Sequence, residues 1–175
     1  MMRAAHLLTA LGITALASAC GGGGAEEGAQ GDTFLAFPST FQSFRSWEAF
    51  ALTGQEIPNS PHTSGPRTVY LKARPAHGAT EFPVGTVIVK EFAADGKIFA
   101  MVKRGGSYNT TGAKGWEWFE LTTPSDTAVT IAWRGVGPPA GEKYGGDPNG
   151  GCNGCHGGAR TNDFVQTAPL TLSNF

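Results

Sequence analysis

The chain has 175 residues, of which 40% are hydrophobic and only 15% are charged, so its length suits one domain and its composition excludes a largely disordered protein. Thirteen basic and fourteen acidic residues leave a net charge of −1, which excludes the basic surface typical of nucleic-acid-binding proteins. Its 26 glycines and 11 prolines exclude a helical bundle, because both residue types interrupt helices.

The N-terminus has the features of a bacterial export signal. Arg3 precedes a short apolar stretch, Leu7 to Leu16, which is too short to span a bilayer comfortably. Small residues then precede Cys20, as in a lipobox, where the cysteine is acylated and becomes the new N-terminus. The same small residues, 17–19, also match an ordinary A-x-A cleavage site. Both alternatives predict a signal peptide over 1–19 and a protein that leaves the cytoplasm.

The segment that follows the signal peptide is rich in glycine and glutamate. Such a composition is typical of a flexible, solvated linker. We predict a tether over residues 20–33, a lipid anchor at Cys20 and a domain over residues 34–175. The expected location is the periplasm or the outer membrane of a bacterium.

Residues Ser39 to Leu52 are the best helix candidate. Phe41, Phe44, Trp47 and Ala51 recur at helical spacing, and a serine or threonine is available as the N-cap. After residue 66 the apolar pattern changes to period two, which indicates strands. The predicted strands are Thr68–Leu71, Thr86–Phe92, Ile98–Lys103, Trp116–Leu121 and Ala128–Trp133.

These elements predict a mainly β (α+β) fold. It would consist of an antiparallel sheet of about five strands, an N-terminal helix and a loop-rich C-terminal end. Asp95-Gly96 marks a hairpin turn, and Gly105 to Gly115 is expected to be a flexible loop.

One motif is specific. Residues Cys152-Asn153-Gly154-Cys155-His156 form C-x-x-C-H, which in an exported protein attaches a c-type haem and makes the C-terminal segment the haem-attachment site. Two thiols at this spacing reach two vinyl groups of one porphyrin, and the adjacent imidazole binds the iron. A disulfide, half of a zinc site and a thioredoxin-like redox pair are the alternatives. No βαβ pattern accompanies the motif, and only Cys20 is left for a zinc site.

The motif lies close to the C-terminus and no methionine follows it, unlike the order in small electron-transfer cytochromes c. The distal side of the haem is therefore expected to come from the upstream β segments.

Five segments between about residues 35 and 166 carry a resemblance to a known family: Phe82–Glu91, Ala100–Arg104, Gly115–Phe119, Cys152–Ala159 and Asp163–Val165. With these segments the sequence resembles the cytochrome P-460 / cytochrome c′-beta family. The resemblance implies a β-sheet fold, often a homodimer, with one pentacoordinate c haem. Similar members either oxidise hydroxylamine and nitric oxide or bind nitric oxide and related gases. In the oxidising branch a lysine is bonded to the porphyrin.

The resemblance assigns residues as follows. Cys152 and Cys155 match the thioether cysteines, and His156 matches the proximal ligand. Lys90 is the best match to the cross-linking lysine, with Lys103 as its rival. The alternative for Lys90 is a solvated lysine at a strand end.

Two further residues match catalytic positions of the family. Asp147 lies where oxidising members place a distal carboxylate, although a glutamate would be expected there. Arg67 resembles an arginine near the haem, and its alternative is a surface charge. The shorter Asp147 favours a gas-binding protein over an oxidase.

An open sixth iron position is favoured by the residues themselves. His62 and His77 lie in proline-flanked loops, and Met101 lies within a strand, where methionine usually fills a core. A wall of aromatic side chains would exclude water, and the candidates are Phe92, Phe99, Trp116, Trp118 and Phe119.

The sequence thus predicts an exported mono-haem c-type cytochrome that binds or redox-processes nitric oxide or hydroxylamine. Its expected partners are this small ligand, a periplasmic electron-transfer protein and the membrane, but no nucleic acid. The alternative is an electron-transfer lipoprotein with a filled sixth ligand site.

Overall fold

The computed structural model describes residues 32–54, 65–125, 127–139 and 151–175. Within them, six strands form one antiparallel sheet in which every strand pairs with its chain neighbours, in the order β1 to β6. The strands are β1 Glu48–Leu52, β2 Arg67–Leu71, β3 Val87–Phe92, β4 Ile98–Lys103, β5 Trp116–Thr122 and β6 Thr130–Gly135. The predicted mainly β, antiparallel architecture is confirmed.

The prediction of an N-terminal helix over residues 39–52 is wrong. Part of this segment forms a strand, so the sheet has six strands where about five were expected. Two short 3₁₀ turns, Pro38–Phe41 and Phe44–Ser46, are separated by Ser43 in a left-handed conformation (φ 56°). The chain then forms β1, which pairs with β2. Short apolar runs fit helical and strand spacing equally well, and here pairing at the sheet edge decides for the strand.

Each face of the sheet is covered by a different end of the described chain. On the N-terminal face, Phe41 and Phe44 pack against the sheet residues Tyr70, Val89 and Phe119. On the C-terminal face, Val165, Leu170 and Leu172 pack against sheet residues that include Val69, Ile88, Met101 and Trp118. The strand alternation that separates these two sets is the period-two pattern of a sheet buried on both faces.

The C-terminal end of the chain is built from short helical turns. They are helix α1, Cys152–His156, and the 3₁₀ turns Gly157–Asn162, Ala168–Leu170 and Leu172–Asn174. No helix among the described residues is long and apolar enough to cross a membrane. The signal peptide of residues 1–19, Cys20 and all but the last two residues of the tether lie outside the described ranges.

Candidate functional site

A cavity lies on the C-terminal face of the sheet, where α1 covers strands β3 to β6. Its lining is mainly apolar, as in most cofactor and ligand sites. The described residues that line the cavity include Ile88, Lys90, Phe99, Met101, Trp118, Trp133, Cys152, His156, Gln166 and Thr167. The structure therefore brings Lys90, Cys152 and His156, three of the predicted site residues, to one cavity.

Helix α1 carries the whole C-x-x-C-H motif on its five residues. The Asn153 side chain docks this helix on the rest of the protein. Its Oδ1 accepts hydrogen bonds from Asn109 Nδ2 at 2.8 Å, from the Ala113 backbone N–H at 3.1 Å and from Trp118 Nε1 at 3.1 Å. Its Nδ2 donates to Asn109 Oδ1 and to the Val136 carbonyl, each at 3.0 Å. Cys152 and His156 are thereby held against the cavity, and Cys155 lies between them on the same helix.

His156 is oriented by a backbone carbonyl. Its Nδ1 lies 2.6 Å from the Phe164 oxygen, so Nδ1 carries the proton and donates it to the carbonyl. The imidazole also packs on Trp118, with ring centroids 4.5 Å apart. Burial, together with the charge of Lys90, lowers the pKa of His156 to about 4. A neutral imidazole with protonated Nδ1 leaves Nε2 as a metal ligand.

Lys90 lies on the wall of the cavity, in the middle of β3, and not at a solvent-exposed strand end. It shares the C-terminal face with Ile88 and Phe92, as period two predicts. Burial lowers the pKa of Lys90 to about 8, with a smaller contribution from the charge of Arg67. The rival lysine, Lys103, is instead in an ion pair with Asp163 and does not line the cavity.

Arg67 is not a surface charge. It is 3% exposed and lies beside the cavity, on the same face as Lys90. None of its three guanidinium nitrogens has a hydrogen-bond partner in the part of the chain that the structure describes. The guanidinium lies 5.9 Å from the Phe92 ring centroid.

Of the predicted candidates for a sixth iron ligand, Met101 lies at the cavity and His77 does not. Met101 is buried and lines the cavity. His77 is exposed, and its Nδ1 lies 2.7 Å from the Phe175 carbonyl, outside the cavity lining. His62 and the predicted distal carboxylate, Asp147, lie outside the described residues.

The predicted aromatic wall is only partly in place. Phe99 and Trp118 line the cavity, and Trp133 joins them. Trp116 packs against Phe82, with ring centroids 5.9 Å apart. The ring of Phe119 packs against Phe41 on the N-terminal face, with centroids 5.2 Å apart. Period two places the rings of Phe119 and Trp118 on opposite faces, so Phe119 borders the cavity while its ring packs on the other side of the sheet.

Sequence reasoning missed the supporting residues. Asn153 stands between the two cysteines, a position that the motif leaves unspecified. Gln166 donates a hydrogen bond to the Cys155 carbonyl and also lines the cavity. The segment 105–115, expected to be a flexible loop, supplies Asn109 and Ala113 to the docking of α1.

Among the described residues, no group of three or more His, Cys, Asp and Glu side chains is arranged to hold a metal ion. Neither a scan of protein-family models nor searches of curated proteins and of solved structures found a match for this chain. Function is therefore inferred from the residues of the cavity.

Proposed function

We propose that this chain is an exported mono-haem c-type cytochrome whose open distal site binds or redox-processes small nitrogen species such as nitric oxide and hydroxylamine. One observation carries the proposal. The C-x-x-C-H helix, with His156 already oriented through Nδ1, and the partly buried Lys90 meet at a single, mainly apolar cavity. The exported location, the lipid anchor at Cys20, an electron-transfer partner and a homodimer remain predictions of the sequence.

The residues present fit a c-type haem. Cys152 and Cys155 would hold it by two thioether bonds, and His156 would bind the iron through Nε2. A porphyrin supplies four ligand nitrogens itself, so one protein imidazole is enough and no cluster of side-chain ligands is required. When bound, the haem supplies an iron centre that binds diatomic ligands and exchanges electrons with them.

The protein itself contributes a mainly apolar pocket. Ile88, Phe99 and Trp118 exclude water, which favours neutral diatomic ligands. Lys90 is the one charged side chain among the described residues of the lining. Its amine, with a pKa lowered to about 8 by burial, is suited either to donating a hydrogen bond to a bound ligand or to forming a bond with the porphyrin.

A second candidate is an electron-transfer cytochrome with a filled sixth site, and the position of Met101 favours it. Met101 lines the cavity, so its thioether is available as a ligand. The visible spectrum of the ferrous protein separates the two candidates. An open site gives a high-spin spectrum that changes when nitric oxide is added. A filled site gives sharp low-spin bands, which the Met101→Leu variant would lose.

Haem attachment is tested in a denaturing gel stained for peroxidase activity. Haem should stay with the polypeptide, and replacing Cys152 and Cys155 with alanine should abolish the stain. The control is Cys20→Ser, which keeps both motif cysteines and should still stain. A wild-type protein that matures without bound haem would refute the proposal and leave a disulfide as the use of the motif.

Peptide mass separates the oxidase from the gas binder. A tryptic haem peptide that joins the Cys152–His156 segment to the Lys90 segment indicates the cross-linked, oxidising type. A haem peptide without a lysine branch, together with no turnover of hydroxylamine, indicates the binder. Lys114→Ala is the matched control, because the loss of this exposed lysine should leave any haem peptide of the Lys90 type unchanged.

A further inference from the structure

A buried ion pair lies next to the attachment segment but outside the cavity lining. Lys103 Nζ lies 2.6 and 2.7 Å from the two carboxylate oxygens of Asp163. The two side chains are only 8% and 4% exposed. The Phe82 backbone N–H donates a further hydrogen bond to Asp163 at 3.0 Å. Because a buried charge that loses its partner is costly, these contacts hold Asp163 in one position against Lys103 of β4.

Asp163 and Phe164 form an unusual turn. Both have left-handed backbone conformations, with φ of 46° and 65°. A bulky L-residue rarely adopts this conformation, which persists only where its surroundings impose it. The Phe164 N–H closes the turn by donating to the Ala159 carbonyl at 2.8 Å. The ion pair therefore fixes the side chain of the first residue of a turn that would not be stable by itself.

This turn presents the acceptor for the histidine of the motif. The Phe164 carbonyl accepts a hydrogen bond from the His156 Nδ1–H, with 2.6 Å between the nitrogen and the oxygen. A hydrogen bond from Nδ1 to a carbonyl fixes the orientation of the imidazole and makes Nε2 a stronger donor to a metal. A shift of the Phe164 carbonyl would weaken both effects.

We propose that the Lys103–Asp163 ion pair positions His156 through the Phe164 carbonyl, and so sets how strongly the imidazole binds the haem iron. The proposal rests on the proposed function, since it needs a haem. Lys103 and Asp163 do not line the cavity and act only through the turn. They are positioning residues of the site.

The test compares Asp163→Asn and Lys103→Met with wild type as ferrous holoproteins. The resonance Raman spectrum should show the iron–histidine stretching band at a lower frequency in both variants. The midpoint potential should rise in both, because a weaker imidazole donor stabilises ferric iron less. The conservative variant Lys103→Arg keeps the pair and should restore both values toward wild type.

Charge alone gives a different result. Asp163→Asn removes a negative charge and Lys103→Met removes a positive one, so a purely electrostatic effect would move the potential in opposite directions. Opposite shifts, or an unchanged iron–histidine band, would overturn the proposal.

A matched control tests for general loosening of the fold. Glu117 is 2% exposed and accepts hydrogen bonds from Arg134 at 2.7 Å on the N-terminal face. Glu117→Gln should lower stability but leave the iron–histidine band in place. An equal band shift in this variant would also overturn the proposal.

Different results would refute the proposed function and the role of the ion pair. Absence of covalent haem in wild type removes the proposed function and this inference with it. Attached haem with unshifted bands in both ion-pair variants removes only the inference. If one variant does not accumulate, the other alone gives the band shift and the potential.

Discussion

The positive charge of Arg67 is enclosed without a counter-charge in the described part of the chain. A guanidinium removed from water and left without hydrogen bonds costs free energy, and only the Phe92 ring offsets this cost. Lys90 stands on the neighbouring strand two residues from Phe92, the cross-strand partner of Arg67, and adds a like charge on the same face. A buried and a partly buried cation on one face make this part of the molecule favourable for an anionic or electron-rich group.

Replacing Arg67 with methionine should raise the free energy of unfolding by about 1–3 kcal/mol, because an unsatisfied buried charge is exchanged for an apolar side chain of similar length. Urea denaturation measures the change, in a Cys152→Ala/Cys155→Ala background so that no bound group supplies the counter-charge. Lys97→Met is the control, since Lys97 is exposed and should change stability by less than about 0.5 kcal/mol. A lower stability of the Arg67 variant would show that the guanidinium has a partner beyond the described residues.

At the scale of elements, α1 is too short to be stable by itself and depends on its docking site. Gly112 makes room for the central contact. A Cβ atom at Gly112 would lie 2.2 Å from Asn153 Cγ. The loop of residues 105–115 therefore has a shape that fits the Asn153 side chain of α1.

Gly112→Ala should lower the free energy of unfolding by about 1–3 kcal/mol, because the added methyl group displaces Asn153 from its hydrogen bonds. Chemical denaturation followed by tryptophan fluorescence reports the loss, since Trp118 loses its acceptor as well. Gly154→Ala is the matched control within α1. A Cβ atom at Gly154 meets nothing within 4 Å, so this variant should be neutral or up to about 1 kcal/mol more stable. Equal losses in both variants would contradict the docking role of Gly112.

The elements differ in how far the sequence predicts them. The strand Ile98–Lys103 was predicted with its observed bounds, because its period-two pattern is bordered by a turn and a glycine pair. The segment Glu48–Leu52 was predicted as helix, since only its pairing with β2 distinguishes the two alternatives. The spacing of C-x-x-C-H identified the site residues of α1, whereas the contacts of Asn153, Asp163 and Phe164 depend on tertiary packing and leave no local pattern.

At the scale of the whole molecule, the described core begins at Ala36, on the N-terminal face. The chain joins the sheet just before this point, where Thr33 bridges Gly105 and the Phe34 N–H donates to the Arg104 carbonyl at 2.9 Å. No described residue before Phe34 packs against this core, so the folded domain is expected to be independent of the anchor predicted at Cys20.

A Cys20→Ser variant should therefore move from the membrane to the soluble periplasmic fraction and keep its full haem content. Fractionation without detergent, followed by haem staining, measures both. Gly21→Ala is the control, because it keeps the cysteine and should stay with the membrane. Wild-type protein that is already soluble without detergent would show that A-x-A cleavage is correct.

The pairing of each strand with its chain neighbour also has a consequence for the order in which the protein is made. Contacts between neighbours in sequence form quickly, so the sheet can assemble strand by strand. Residues 151–175, which cover the C-terminal face and carry the C-x-x-C-H motif, follow all six strands in the chain. The segment that would receive the proposed haem can therefore dock on a wall, from Lys90 to Trp133, whose strands pair without it.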